Sequence, residues 1–252
     1  MSETIGAKQG PDYLYFKFRS INKHLIESLV NSSLYFARPD ELNDPFDCRP
    51  DLRKSLLRAA SLATGRQKSF LQSALNDGQK FIESWKARFE SFGICSFSLE
   101  LAKQESTLMW AHYADRHKGV CLLYRFTESF LIDRKNNIFG VDTVQYIDDP
   151  FTNWLRDKAP QEMRAFIEGL VRISLTAKSP PWIYEHEARI IRGQHGLLNI
   201  PSRSLEQICF GLDTPESDID LVAKLASEHC GCKSFCRIIR EDSDFGIAAK
   251  EI

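Results

Sequence analysis

Two successive prolines, Pro180-Pro181, set the sharpest local limit on the fold. Proline lacks the N–H that a helix interior or a central strand needs, so regular structure must stop or start there. The stretch around them, Lys178–Arg192 (KSPPWIYEHEARIIR), then places Trp182, Tyr184, Glu185, His186, Glu187 and Arg189 within eight positions. The β-branched Ile190 and Ile191 follow and favour a strand. A strand over Glu185–Ile191 puts Glu185, Glu187 and Arg189 on one face and His186, Ala188 and Ile190 on the other. A row of two carboxylates and a guanidinium is ordinary on a solvated face. It becomes a site only if other segments bring partners to it.

Other segments supply strands and helices in irregular order. Tyr13–Arg19 alternates, with Tyr13, Tyr15, Lys17 and Arg19 opposite Leu14, Phe16 and Phe18. Ser20 or Asn22 can cap a helix carrying Leu25, Ile26 and Leu29. Leu34–Ala37 is a short strand. Asn43-Asp44-Pro45 predicts a rigid turn, with Phe46 as its hydrophobic anchor. Residues 51–90 carry helical stripes (Leu52, Leu56, Leu57, Ala60; then Phe70, Leu71, Ala74, Leu75; then Phe81, Ile82, Trp85, Phe89), divided by Gly65 and Asn76-Asp77-Gly78 into two or three helices. They form an insertion or cap. Phe92–Ser98 and Gly119–Phe126 are strands flanking a helix that Ser106 or Thr107 caps and that runs through Arg116. Phe139–Ile147, Leu197–Ile200, Leu205–Phe210 and Phe235–Arg240 are further strands. Residues 160–176 and 214–229 are helices, the second capped by Asp213 or Thr214. This order lacks regular βαβ alternation, so the expected fold is α+β: one domain over 1–252 with a mixed or antiparallel sheet, a helical insertion at 51–90 and a flexible N-terminus at 1–10.

Composition narrows the function classes. The 252 residues carry a formal net charge of −1, so bulk charge steers the chain neither to DNA nor to an acidic membrane. No apolar run approaches the length of a membrane span. The seven cysteines are scattered, an odd number without small-scaffold spacing, which points to a reduced, cytoplasmic protein.

Three stretches together carry a family resemblance: YFKFRS with LYFARPDELNDPFD, ICSFS followed by LMWAHYADRHKGVCLLY, and KSPPWIYEHEARII. Over about Tyr13 to Gly211 the chain resembles a bacterial family still labelled a domain of unknown function, number twenty-nine seventy-one. A fainter resemblance is to the ADP-ribosyltransferase fold, with its split sheets. There an Arg or His on a first strand, a Ser or Tyr on a middle strand and a late Glu-x-Glu strand serve NAD. That resemblance implies Arg19 as a phosphate grip, Ser96 or Ser98 at the ribose next to nicotinamide, and Glu187 as the carboxylate that opposes positive charge as the nicotinamide–ribose bond breaks. Glu185 then orients or deprotonates the acceptor, a protein or nucleic acid. Trp110, Tyr113 or Tyr184 stacks on a flat ring. The middle strand departs from the fold's usual serine-threonine-serine run, reading Cys95-Ser96-Phe97-Ser98.

The leading expectation is thus an NAD-using ADP-ribosyltransferase-like enzyme, a toxin or phage-defence effector. One alternative is a non-catalytic module of the same fold that binds nucleotide, protein or nucleic acid. Another is a metal-dependent hydrolase or nuclease built on Asp44, Asp47, Glu185 and Glu187. Each residue also has a plain structural role open to it: Arg19 neutralising Asp44 or Asp47, Ser96 as a small strand residue, Trp110 and Tyr113 in the core. His229, Cys230, Cys232 and Cys236 crowd together without a second CxxC pair, a weak zinc pattern. His112 and His117 are five apart rather than four. Cys95, Cys121 and His112 offer a thiol and an imidazole.

Overall fold

In the computed structural model of the chain, which describes residues 7–9, 12–76, 78–99, 106–242 and 246–252, the alternating Tyr13–Arg19 segment is a strand. β1 (Ala7–Gln9) pairs antiparallel with the start of β2 (Asp12–Arg19). Of the N-terminal segment expected to be flexible, Ala7–Gln9 is therefore in the sheet, and residues 1–6 and 10 lie outside the described residues. α1 (Lys23–Val30) starts at Asn22, whose side chain accepts from the backbone N–H groups of His24 and Leu25, as a cap should. β3 (Ser33–Phe36) follows.

The Asp44-Pro45 turn forms as its chemistry requires. The Asp44 side chain accepts from the Phe46 N–H at 2.9 Å, and its carbonyl accepts from the Asp47 N–H at 3.1 Å. The expected anchor role of Phe46 is overturned: Phe46 is 83% exposed, while Asp47 turns inward and is buried. Phe46→Ala is therefore expected to move the urea unfolding midpoint by no more than about 0.5 kcal/mol in stability, the usual range for a surface change. A loss of several kcal/mol would restore the anchor.

Residues 51–90 fold as three helices, α2 (Leu52–Leu62), α3 (Gly65–Asn76) and α4 (Gly78–Ser91). Asp51 caps the first through the Lys54 N–H. Leu52, Leu56, Leu71, Trp85 and Phe89 share one core, whereas Leu57 points to solvent. Next come β4 (Gly93–Ser98), α5 (Ser106–Tyr113), β5 (Val120–Thr127), α6 (Glu128–Ile132) and β6 (Ile138–Thr143). The helix expected to reach Arg116 stops at Tyr113, because Asp115, Arg116 and His117 all adopt left-handed backbone conformations. Gly119 then passes so close to β2 that a Cβ there would sit 2.2 Å from the Arg19 carbonyl oxygen.

The strand expected over Phe139–Ile147 breaks at Val144 into β6 and β7 (Gln145–Tyr146). α7 (Pro150–Asp157) and α8 (Met163–Thr176) lead to β8 (Ala177–Lys178), which pairs parallel with β7. Pro180–Glu185 is a 3-10 helix, with the two prolines in its first positions, where a missing N–H costs nothing. His186 takes a left-handed conformation, so β9 (Glu187–Arg192) begins two residues later than expected, and Glu185 is not on the strand. β10 (Gly196–Asn199), β11 (Leu205–Phe210), α9 (Glu216–Leu225), β12 (Ser234–Arg240) and β13 (Ile247–Glu251) complete the order. Pro215, not Asp213 or Thr214, precedes α9; the Thr214 hydroxyl donates to the Gly119 carbonyl instead.

The architecture is α+β. Among the described residues nine strands form one mixed sheet, ordered β13-β12-β11-β5-β2-β4-β9-β6, with β1 beside β2. Every pairing is antiparallel except β11 with β12. α1 and α9 cover Tyr15, Leu122, Phe126 and Ile208 with Leu25, Leu29, Ile219 and Val222. α2, α4, α7 and α8 pack against Phe92, Ile94 and Ile191. Met109 and Trp110 of α5 pack on Phe18, Cys121 and Cys209.

One junction of the sheet is almost open. β2 and β4 share a single rung, Phe16 with Ser98. Beyond it Lys17–Arg19 and Cys95–Phe97 diverge, and the Lys17 ammonium reaches across to the Ser96 carbonyl at 2.8 Å. A carbonyl without a ladder partner must find another donor, and this one takes a side chain.

Candidate active site

The gap between β2 and β4 is the mouth of a cavity of about 210 Å³. Arg19 from β2, Ser96 and Ser98 from β4, Tyr113 from α5, and Glu185 and Glu187 all line it. Five of the seven expected site residues thus meet at one place: Glu187, Glu185, Arg19, Ser96 and Tyr113. The other two do not. Trp110 has no exposed surface and meets Phe18 edge to face at 5.1 Å, so it is a core side chain. Tyr184 turns away, its hydroxyl 3.0 Å from His112 Nδ1.

A buried charged cluster closes the inner end. Arg189 is fully buried and grips two carboxylates with its fork. It donates to Glu187 Oε1 at 2.7 Å and Oε2 at 3.0 Å, and to Asp47 Oδ1 at 3.1 Å and Oδ2 at 2.6 Å. A further bond goes to the Leu175 carbonyl at 2.8 Å. Lys178 Nζ lies 2.5 Å from Glu185 Oε2, 3.2 Å from Glu187 Oε2 and 3.6 Å from Asp47 Oδ2, and 4.8 Å from the Trp182 ring centre. The Tyr113 hydroxyl donates to the other oxygen of Glu185. The row on Lys178–Arg192 is therefore not a solvated face: Glu185, Glu187 and Arg189 are all buried. Arg19 neutralises neither Asp44 nor Asp47; no ion pair joins its side chain to a carboxylate among the described residues, and Asp47 answers Arg189 instead.

The two glutamates are held in opposite protonation tendencies. Burial alone would push Glu187 up, but Arg189 on both its oxygens, Lys178 and the Ser96 hydroxyl outweigh it and bring its carboxyl down to about 2. Burial also pushes Glu185 up; Lys178 opposes, Glu187 adds to the rise, and the net direction is above the ordinary carboxylate value. Burial and the bond to Glu185 raise Tyr113. Burial lowers Lys178 less than the three carboxylates around it raise it.

Two members of this site, Lys178 and Lys17, carried no signal of their own in the sequence. Lys178 opens the Pro-Pro motif on a two-residue strand, and its carboxylate partners are Glu185 and Glu187 further along the same stretch and Asp47 from the distant turn. In the sequence Asp47 groups with Glu185 and Glu187 as a metal-binding acid or stands against Arg19, and is not matched with Arg189.

The geometry also bears on the other constellations. Asp47, Glu185 and Glu187 converge, but on the ammonium of Lys178, and Asp44 sits apart in its turn. Among the described residues no group of three or more His, Cys, Asp or Glu side chains is arranged to hold a metal ion. Cys230 and Cys232 donate to separate carbonyls, of Leu29 and Glu206, and Cys236 neighbours Cys209. His117 stacks on Trp110 rather than pairing with His112. All seven cysteines are free and buried. No helix among the described residues is long and apolar enough to cross a membrane.

No curated protein and no solved structure matches the chain. A family model does, across α5, β5 and the Pro-Pro segment as far as Ile190. It thus takes in WAHYADRHKGVC and WIYEHEAR but stops short of YFKFRS and NDPFD. Residues 109–190 match the model of the family described as Protein of unknown function (DUF2971).

Proposed function

We propose that the chain is an enzyme that breaks the nicotinamide–ribose bond of NAD and transfers the ADP-ribose to an acceptor. One observation carries this: two carboxylates with opposite protonation tendencies, Glu187 and Glu185, face one small cavity beside Arg19, Ser96 and Tyr113. Environments that push paired titratable groups apart assign their roles. Glu187, kept ionised, opposes the positive charge that grows at the ribose carbon. Glu185, with its raised pKa, takes the proton of the attacking group. The C–N bond breaks with its electron pair going to nicotinamide. The acceptor's nucleophile bonds to the same carbon and gives its proton to Glu185. Ser96 stands at the ribose and Arg19 at the diphosphate. The sheet that splays at β2 and β4, with these side chains at the split, supports the likeness to the ADP-ribosyltransferase fold.

A second role for the cluster has its own support. Both oxygens of Glu187 are already held by cations, as in a neutralised structural lock. On that account the cavity binds a nucleotide without turning it over. Incubation with NAD, following nicotinamide release by chromatography, separates the two. The enzyme releases nicotinamide, and Glu185→Gln abolishes an acid limb of the pH–rate profile that lies above the ordinary glutamate range. No release from wild type, with NAD still bound, leaves the binding module.

A further inference from the structure

A larger cavity, about 740 Å³, lies between α1, β3 and strands β2 and β5, and the proposed chemistry does not use it. Its volume is within the usual range of small-molecule sites, about 300–1,000 Å³. Two of its polar groups stand without partners. Ser33 is 2% exposed, and its hydroxyl finds no hydrogen-bond partner. Arg19, half-buried at one edge, has no carboxylate among the described residues. Of the acids that share the cavity, Glu27 lies 3.5 Å from His24, and Glu41 accepts from the Tyr35 hydroxyl at 2.9 Å and from the Arg38 N–H at 3.0 Å. Lys17 and Arg19 thus face the space together with Glu27 and Glu41, and a guanidinium fork that no carboxylate holds favours phosphate.

The remaining walls suit a flat body. Leu25, Leu34 and Leu122 are buried and apolar, and the rings of Tyr35 and Tyr124 stand beside them. Buried hydroxyls are costly to leave unpaired, so Ser33 asks for a polar group on the same body. We infer that this cavity is a second ligand site, for a mononucleotide: its phosphate on Arg19, a ribose hydroxyl on Ser33, and its base among the leucines and tyrosines. The inference does not need the catalytic proposal, but Arg19 borders both cavities, so the β3 variants are the ones that tell this site from the other.

Titration calorimetry with AMP, adenosine and inorganic phosphate on the full chain tests it. AMP binds, and more tightly than either fragment. Arg19→Gln weakens AMP by about tenfold or more, the worth of one charge-assisted hydrogen bond. Ser33→Ala weakens it severalfold, and Glu185→Gln leaves it unchanged. Should Ser33→Ala unfold the chain, Tyr35→Ala at its partly exposed site serves in its place and is expected to weaken AMP. The inference is overturned if AMP does not bind, if inorganic phosphate binds as tightly as AMP, or if Arg19→Gln and the β3 variant bind AMP like wild type. NAD turnover without AMP binding removes this site alone, and AMP binding without turnover removes the catalytic proposal alone.

Discussion

Arg189→Met is expected to cost about 3–5 kcal/mol of folding stability at neutral pH, the usual penalty for removing one partner of a buried ion pair. Methionine fills similar space, so the loss is electrostatic rather than a cavity. It leaves Asp47 and Glu187 buried with only Lys178, at 3.6 and 3.2 Å, to answer them. The pH dependence follows from the direction of the Glu187 shift. Its folded pKa, about 2, lies below the ordinary glutamate value of 4.5, so its contribution is present above the unfolded pKa and fades as pH falls toward 2. In the variant that depression is gone, and acid lets the stranded carboxylates protonate. Urea unfolding at neutral and at acid pH should therefore show the gap between wild type and Arg189→Met narrowing as pH falls. A gap under about 1 kcal/mol would mean that the cluster does not hold the fold in the way the distances imply. So would one of constant size.

Glu187→Gln is expected to slow nicotinamide release from NAD by about 10²–10³, the usual cost of losing one fixed electrostatic stabiliser. Glutamine keeps the shape and can still accept from Arg189 through its carbonyl, but it carries no charge. NAD affinity should fall far less than turnover, because the charge matters most once positive charge has grown at the ribose. The variant is less stable than wild type, since Arg189 and Lys178 lose part of their counter-charge, so rates belong at a temperature where circular dichroism shows it folded. Full turnover in folded Glu187→Gln would end the role given to this residue. An equal fall in affinity and rate would recast it as a binding group.

Much of the fold was legible from period alone. The alternation of Tyr13–Arg19 and the apolar runs of Phe92–Ser98 and Gly119–Phe126 became β2, β4 and β5, and the stripes of 51–90 became three helices. Glu185 and Glu187 did come together, though by another route than a shared strand face: a 3-10 turn ending in left-handed His186 returns Glu185 to the cavity, where Lys178 joins the pair. What local pattern did not disclose was orientation. The Asn43-Asp44-Pro45 chemistry settles the backbone of the turn, but which of Phe46 and Asp47 faces inward is decided by Arg189, far along the chain. Likewise a Trp three residues from Tyr113 looks equally apt for ligand or core until Phe18 is seen against it.

The bonds between Asp47 and Arg189 join positions 142 residues apart. Closing so long a loop carries an entropy cost that local helices and hairpins do not meet. Such contacts come late in folding unless they belong to the nucleus. If the cluster closes after the comparably distant pairings of β2 with β5 and β4 with β9, it is a seal set on the sheet. Changes to it would show chiefly in how fast the native chain comes apart, and little in how fast it forms. A chain caught before the seal closes would hold its helices and most of its strands, yet have no cavity with its charges in place.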